Sequence, residues 1–285
     1  MKSLCIKINN DKVLNYLQEQ LENSHMDNIC FSIKTFKYYN NLIIHYTGSN
    51  LSEFYNFICD ILLNTVTNLY EPRKLKELIN INYFYFSEFE KQSILDKCIN
   101  MLNFDANNRE DCDNLIYTDL LKYIIENKSI FLDGFINFRL YKYINFLDSI
   151  LDLSVNNFII EREYNEFISL LQIYINSKDS TTPLLHLIYV NGDSILIDEN
   201  KNIVSVDDNI LNATYLSDIS FSSNDFTLNT LLSVLPQEII IHIIDSEDEF
   251  INTLKLIFGN RITICTDCSI CNIYKTLATN IHHNV

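Results

Sequence analysis

The sequence predicts an α+β fold, and three observations carry the prediction. Short apolar runs of strand length are confined to the two ends of the chain. A helical apolar period dominates between about residues 50 and 178, and a strand–helix–strand spacing occurs near the end. Three regions follow: a small α/β unit over residues 1–48 (a helix plus a hairpin), a helical region over 49–180, and a C-terminal α/β region with a βαβ unit over 181–285.

In the first region, Val13, Leu14, Leu17 and Leu21 mark a helix. The runs Ile29–Tyr38 and Leu42–Tyr46, joined at Tyr39-Asn40-Asn41, read as a hairpin. In the second, Asn50 with Glu53 and Ser87 with Glu90 have capping-box spacing ahead of apolar-periodic segments. Pro72 breaks or kinks the segment that starts near Leu51, because proline lacks the N–H that a helix interior needs. The polar stretch Asp105–Asp113 reads as a loop, followed by helices near Tyr117–Asn127, Phe131–Leu151 and Val155–Asn176.

In the third region, Leu184–Val190 and Ser194–Ile197 flank Asn191-Gly192, the pair that tolerates the positive φ angles of a tight hairpin turn. Pro236 precedes the strand EIIIHII. Ser246 and Glu249 then have capping-box spacing, a helix runs through Phe250, Leu254 and Ile257, Gly259 closes it, and RITIC forms a further strand. That spacing is the one a parallel βαβ crossover requires.

Composition limits the function classes. The 285 residues carry a formal net charge of −16, which repels a phosphate backbone, so nucleic acid is not an expected partner. Four glycines and three prolines leave little material for Gly-rich phosphate loops. The nucleophile-elbow, zincin, P-loop and dinucleotide-binding motifs are absent, so the chain reads as uncertain for enzymatic activity and closer to a non-enzyme. The start, MKSLCIKINNDK, turns polar by Asn9 and has no signal-peptide core. No apolar run reaches the roughly 18 residues that a membrane-spanning helix needs. Eight cysteines in such a chain are expected to stay reduced in a cytoplasm.

Five of those, Cys5, Cys30, Cys59, Cys98 and Cys112, read as small buried hydrophobes. The other three, Cys265, Cys268 and Cys271, stand three residues apart in RITICTDCSIC, at the end of the last predicted strand. Ligand sites of open α/β sheets lie just beyond the carboxyl ends of parallel strands, and a Cys-x-x-Cys turn directs two sulfurs at one ion. These three are the candidate metal ligands. The sequence does not fix the ion: zinc is one candidate, an iron–sulfur cluster or a redox-active thiol group is the alternative, and unligated structural thiols are a further reading of equal standing. Candidates for a fourth ligand are Asp267, His242, His282, His283, a second subunit or water.

Other constellations read as structural. Asp198, Asn200 and Asn202 imitate a calcium loop but lack its Gly and its final Glu, and so predict a β-turn. Arg139, set among apolar residues, predicts a carboxylate partner from Glu161, Glu163 or Glu166. Glu247, Asp248 and Glu249 predict a helix first turn, where negative charge favours the dipole. His45 and His186 read as lone histidines satisfied within strands.

The segments DGFINFRLYKYINFLDSILDLSVNNFIIEREYNEFISLLQIYI, PLLHLIYVNGDSILIDENKNIV, VLPQEIIIHII and RITICTDCSIC together resemble the YtxC family of sporulation proteins. FINFRL, EREYNEF and ICTDCSIC are the most specific parts. Where this chain has Asp267, that family often has Gly. The resemblance implies a cytoplasmic, sporulation-associated protein of endospore-forming bacteria and carries no reaction with it. The chain thus reads as a sporulation-associated protein that binds a protein partner and carries a C-terminal thiol cluster.

Overall fold

A computed structural model describes residues 2–24, 26–180, 182–204 and 222–281, with side chains to residue 276. The chain divides into two compact units, Met1–Ile160 and Glu161–Val285. The architecture is α+β, with two four-stranded mixed sheets and a helical middle.

The first unit contains β1 (Lys2–Ile8), α1 (Asp11–Glu22), β2 (Ile29–Thr35), β3 (Asn40–Tyr46), α2 (Leu51–Thr65), α3 (Glu71–Asn82), α4 (Glu88–Phe104), α5 (Ala106–Glu126), β4 (Ser129–Phe131) and α6 (Leu132–Arg139). It also contains the first part of α7 (Tyr141–Ser177), a helix that continues into the second unit. Its sheet has the order β2-β3-β1-β4, with β1 antiparallel to β3 and parallel to β4. The predicted helix and hairpin are present, although β2 ends at Thr35 and Asn40 already belongs to β3. Asn50 caps α2, and Ser87 with Glu90 forms a reciprocal capping box on α4.

Pro72 acts through its missing N–H. It sits in the first turn of α3, and the backbone ahead of it widens into a π-helical turn over Val66–Tyr70, where the Glu71 N–H reaches the Val66 carbonyl. Asp105–Asp113 is not a loop. Asp105 caps α5 by accepting the Asn107 N–H at 3.0 Å, and the polar residues form the exposed face of a helix that buries Cys112, Ile116, Leu120 and Ile124. The expected helix from Phe131 is interrupted at Leu140, and the two helices expected on either side of Ser154 are one, α7.

The second unit contains the rest of α7, β5 (Thr182–Val190), β6 (Asp193–Ile197), α8 (Ser223–Val234), β7 (Pro236–Ile243), α9 (Glu249–Phe258), β8 (Ile262–Cys265) and α10 (Ser269–Ile281). Its sheet has the order β6-β5-β7-β8, antiparallel between β5 and β6 and parallel elsewhere, so the β7-α9-β8 crossover is present. Asn191 and Gly192 have φ of 53° and 86° in the hairpin turn. Asp248, not Ser246, caps α9, because its carboxylate accepts from the Phe250 and Ile251 amides.

Strand alternation gives this sheet two different faces. Leu185, Leu187, Tyr189, Ile239, Ile241 and Ile243 belong to a core with Ile168 and Ile175 of α7, Leu231 of α8 and Leu254 and Ile257 of α9. The other face has a far smaller buried cluster, Ile188, Ile197, Ile244 and Cys271, beneath α10. Among the described residues, no helix is long and apolar enough to cross a membrane.

Candidate metal centre

The small face holds the thiols. His242 of β7 is the register partner of Ile188 on β5 and of Cys265 on β8, so these three side chains share one face of three parallel strands. Beyond Cys265 the chain turns through Thr266 and Asp267. Cys268 then stands at the start of α10, and its carbonyl accepts the Asn272 N–H at 2.9 Å. Cys271 lies in the first turn and is fully buried. The Lys275 ammonium ties the helix back to the turn by donating to the Thr266 carbonyl at 2.7 Å.

The ligand atoms of His242, Cys265, Cys268 and Cys271 all lie within 4.8 Å of one another, an arrangement that could hold a metal ion. Sγ of Cys271 is 3.9 Å from that of Cys265 and 3.7 Å from that of Cys268. His242 Nδ1 is 3.4 Å from both the Cys268 and the Cys271 sulfur. The other ring nitrogen, Nε2, faces His186 Nδ1 at 3.0 Å, and the two imidazoles stack at 24° with centroids 5.2 Å apart.

The electrostatics separate the groups. Burial lowers the pKa of His242, and the neighbouring His186 lowers it further. Burial also lowers that of His186, against the opposing pull of Glu199 and Glu238. The Cys271 thiol is pushed up to about 11, chiefly by burial. At Cys268 burial works upward, but hydrogen bonds from the Cys271 and Ile270 amides and from the two other thiols bring it below the ordinary thiol value. A helix N-terminus favours a thiolate in this way.

The three candidate cysteines therefore come together with a buried histidine from a neighbouring strand. Of the other fourth-ligand candidates, Asp267 is exposed, and His282 and His283 lie outside the described residues. Asp267 is also not among the residues with positive φ, so the turn does not depend on glycine there. His186, read as a lone histidine, is the hydrogen-bonding neighbour of His242.

The remaining readings divide. His45 bonds the Ser3 hydroxyl at 2.7 Å, and Asp198 accepts the Asn202 N–H at 2.8 Å in a turn. Arg139 is exposed and lies over the Tyr123 ring at 5.7 Å, and Glu166 pairs instead with Arg162. Cys59, Cys98 and Cys112 are buried as expected, but Cys5 is half-buried and Cys30 exposed.

A polar cluster in the first unit escaped the sequence reading. Glu71, only 7% exposed, accepts both terminal nitrogens of Arg109 at 3.0 and 3.1 Å and the Tyr143 hydroxyl at 2.8 Å. Arg109 also reaches Asp113 at 2.9 Å, beside a cavity of about 340 Å³ that includes Thr67 and Asn68 of the π turn. Burial works against the guanidinium charge, but Glu71 and then Asp113 hold its pKa above the ordinary value.

Comparison with known proteins adds a family. A family model described as the YtxC-like family matches residues 56–263, a span that contains His186 and His242 and stops before Cys265. The chain is 20% identical over 216 residues to "Uncharacterized protein YtxC" of Bacillus subtilis (strain 168), covering 72% of this chain and 75% of that protein. No solved structure gives a significant match. The chain belongs to the YtxC-like family.

Proposed function

We propose that this protein is a cytoplasmic, sporulation-associated, non-enzymatic protein that binds a protein partner, and that a single structural zinc ion closes its second unit. The ligands are His242 through Nδ1 and the thiolates of Cys265, Cys268 and Cys271. The observation that carries the metal reading is the size of the cluster. A tetrahedral zinc with Zn–S of about 2.3 Å and Zn–N of about 2.0 Å requires S···S edges of about 3.8 Å and S···N edges of about 3.5 Å. Four of the six edges, sulfur separations of 3.7 and 3.9 Å and nitrogen–sulfur separations of 3.4 Å, support that geometry, and all four ligand atoms lie within 4.8 Å of one another. An iron–sulfur cluster distributes its thiolates over several irons and needs wider spacing, so the short edges favour one ion.

Four protein ligands leave no open position, which favours a structural over a catalytic ion. The need for such an ion is physical. Among the described residues, the cluster beneath α10 has four buried members, one of them Cys271, with partly buried neighbours such as Ile270 and Tyr274, a small core to which coordination would add free energy. All eight cysteines are free, in keeping with a reducing compartment. The sporulation setting is the one implied by the family resemblance.

Partner binding is supported by the aromatic side chains exposed around the α3–α4 connection, where Phe84 is 74% and Phe89 85% exposed. The net charge of −16 disfavours a polyanionic partner. The test is elemental analysis of protein purified without oxygen or chelator, alongside a Cys265/Cys268/Cys271→Ser variant. About one zinc per chain, lost in the variant together with thermal stability, is expected. Iron with visible absorbance would replace this reading with a redox protein, and no metal would leave ordinary buried thiols.

A further inference from the structure

No hydrogen bond ties His186 to the three sulfurs, yet its Nδ1 lies 3.0 Å from Nε2 of His242, the ring nitrogen opposite the one that faces Cys268 and Cys271. We propose that His186 is a positioning residue of the metal centre: it accepts the proton on His242 Nε2 and so commits Nδ1 to the metal. The inference rests on the zinc reading of the same site.

A histidine ligates through a lone pair, so its other ring nitrogen must carry the proton and needs an acceptor. With Nδ1 of His242 facing Cys268 and Cys271 at 3.4 Å, that proton belongs on Nε2. The atom opposite Nε2, at 3.0 Å, is His186 Nδ1. His242 is only 2% exposed, so a proton left without an acceptor there would cost free energy that water cannot return. His186 must then present its lone pair at Nδ1 and carry its own proton on Nε2. The direction of the whole chain, from metal to His242 to His186, is thereby fixed.

Strand register makes this pairing possible. His186 pairs across β5 and β7 with Ile240, two residues before His242, so the two imidazoles are diagonal neighbours on one sheet face. The choice of an imidazole as acceptor also has a physical reason. Three thiolates and one divalent ion already sum to a charge of −1. The carboxylate acceptor common at zinc sites would place a second negative charge beside that centre, and a neutral imidazole does not.

The experiment combines zinc affinity, measured by competition with a chromophoric chelator, with long-range ¹H–¹⁵N correlation spectra of the histidine rings in the zinc-loaded chain. His186→Leu fills the space without an acceptor. His186→Asn returns an acceptor oxygen near the position of Nδ1. The leucine variant is expected to bind zinc about 10- to 100-fold more weakly, with the asparagine variant recovering most of the loss. The wild-type spectrum is expected to show His242 metal-bound at Nδ1 and protonated at Nε2, and His186 protonated at Nε2 only.

Tight zinc binding by wild type together with unchanged affinity in His186→Leu would overturn the role of His186 and leave the zinc reading standing. Absence of zinc binding in wild type would overturn both. Should the leucine variant fail to fold, the wild-type spectrum decides alone, and a proton on His186 Nδ1 or metal on His242 Nε2 would overturn the inference.

Discussion

His242 and Cys265 are register partners across β7 and β8, so the parallel pairing of two strands delivers two candidate ligands to one face before any loop takes part. The turn after Cys265 and the first turn of α10 then add Cys268 and Cys271. His242→Ala is expected to weaken zinc binding by more than the 10- to 100-fold typical of substitutions outside the ligand set. Hydrogen exchange should show lost protection within residues 161–285 and unchanged protection in residues 1–160, which hold none of the four proposed ligands. Equal loss in both units would point to general unfolding instead.

The buried carboxylate Glu71 makes a separate, metal-independent prediction. Glu71→Ala leaves Arg109 and Tyr143 without their shared acceptor in the interior of the helical region. Arg109 is only part-buried and keeps Asp113, so the loss should fall below the roughly 3–5 kcal/mol of a fully buried pair, and denaturant unfolding should report about 2–3 kcal/mol. The same measurement on Lys74→Ala, which removes a surface pair with Glu77, should give less than about 1 kcal/mol.

Thiol chemistry should divide the cysteines outside the metal centre. Cys30 is exposed and is expected to react with iodoacetamide in the native protein. Burial pushes Cys59 and Cys112 up to about 12 and Cys98 to about 11, so these three should label only on unfolding. Their raised values also set an alkaline limit. Stability from keeping these thiols neutral is fully present below about pH 9, where the unfolded chain begins to ionise, and is lost as pH rises toward the folded values. Thermal scans above pH 9 should therefore fall, and Cys59→Ala/Cys112→Ala should flatten the fall.

The hairpin turn at Gly192 predicts a backbone effect free of packing. A Cβ there would meet nothing within 4 Å, but φ is +86°. Gly192→Ala should cost about 1 kcal/mol, read by denaturant unfolding, through the left-handed backbone alone.

What was legible in the sequence followed local chemistry. Asn191-Gly192 dictated its turn, Ser87 with Glu90 its cap, and the spacing from Pro236 to RITIC its parallel crossover. The errors occurred where tertiary structure overrides composition. Asp105–Asp113 is as polar as a loop, yet Cys112 already begins the buried stripe that continues through Ile116, Leu120 and Ile124. The edge strand β4 has only three residues, and β1 had no hairpin turn to announce it. The three thiols were visible as a cluster because they are close in sequence. His242 was one of several possible fourth ligands, because only strand register brings it opposite Cys265. Glu71 and Arg109 were invisible for the same reason, since no local pattern links the starts of α3 and α5.

The proposed centre is a single ion held by three sulfurs and one imidazole nitrogen. Zinc-edge X-ray absorption on the chain purified without chelator reads that ligand set without intermediate steps. One zinc is expected, with three sulfurs at about 2.3 Å and one nitrogen at about 2.0 Å, and with the nitrogen shell lost in His242→Ala. A shell of four sulfurs, a metal–metal distance, or a nitrogen shell that survives His242→Ala would contradict it.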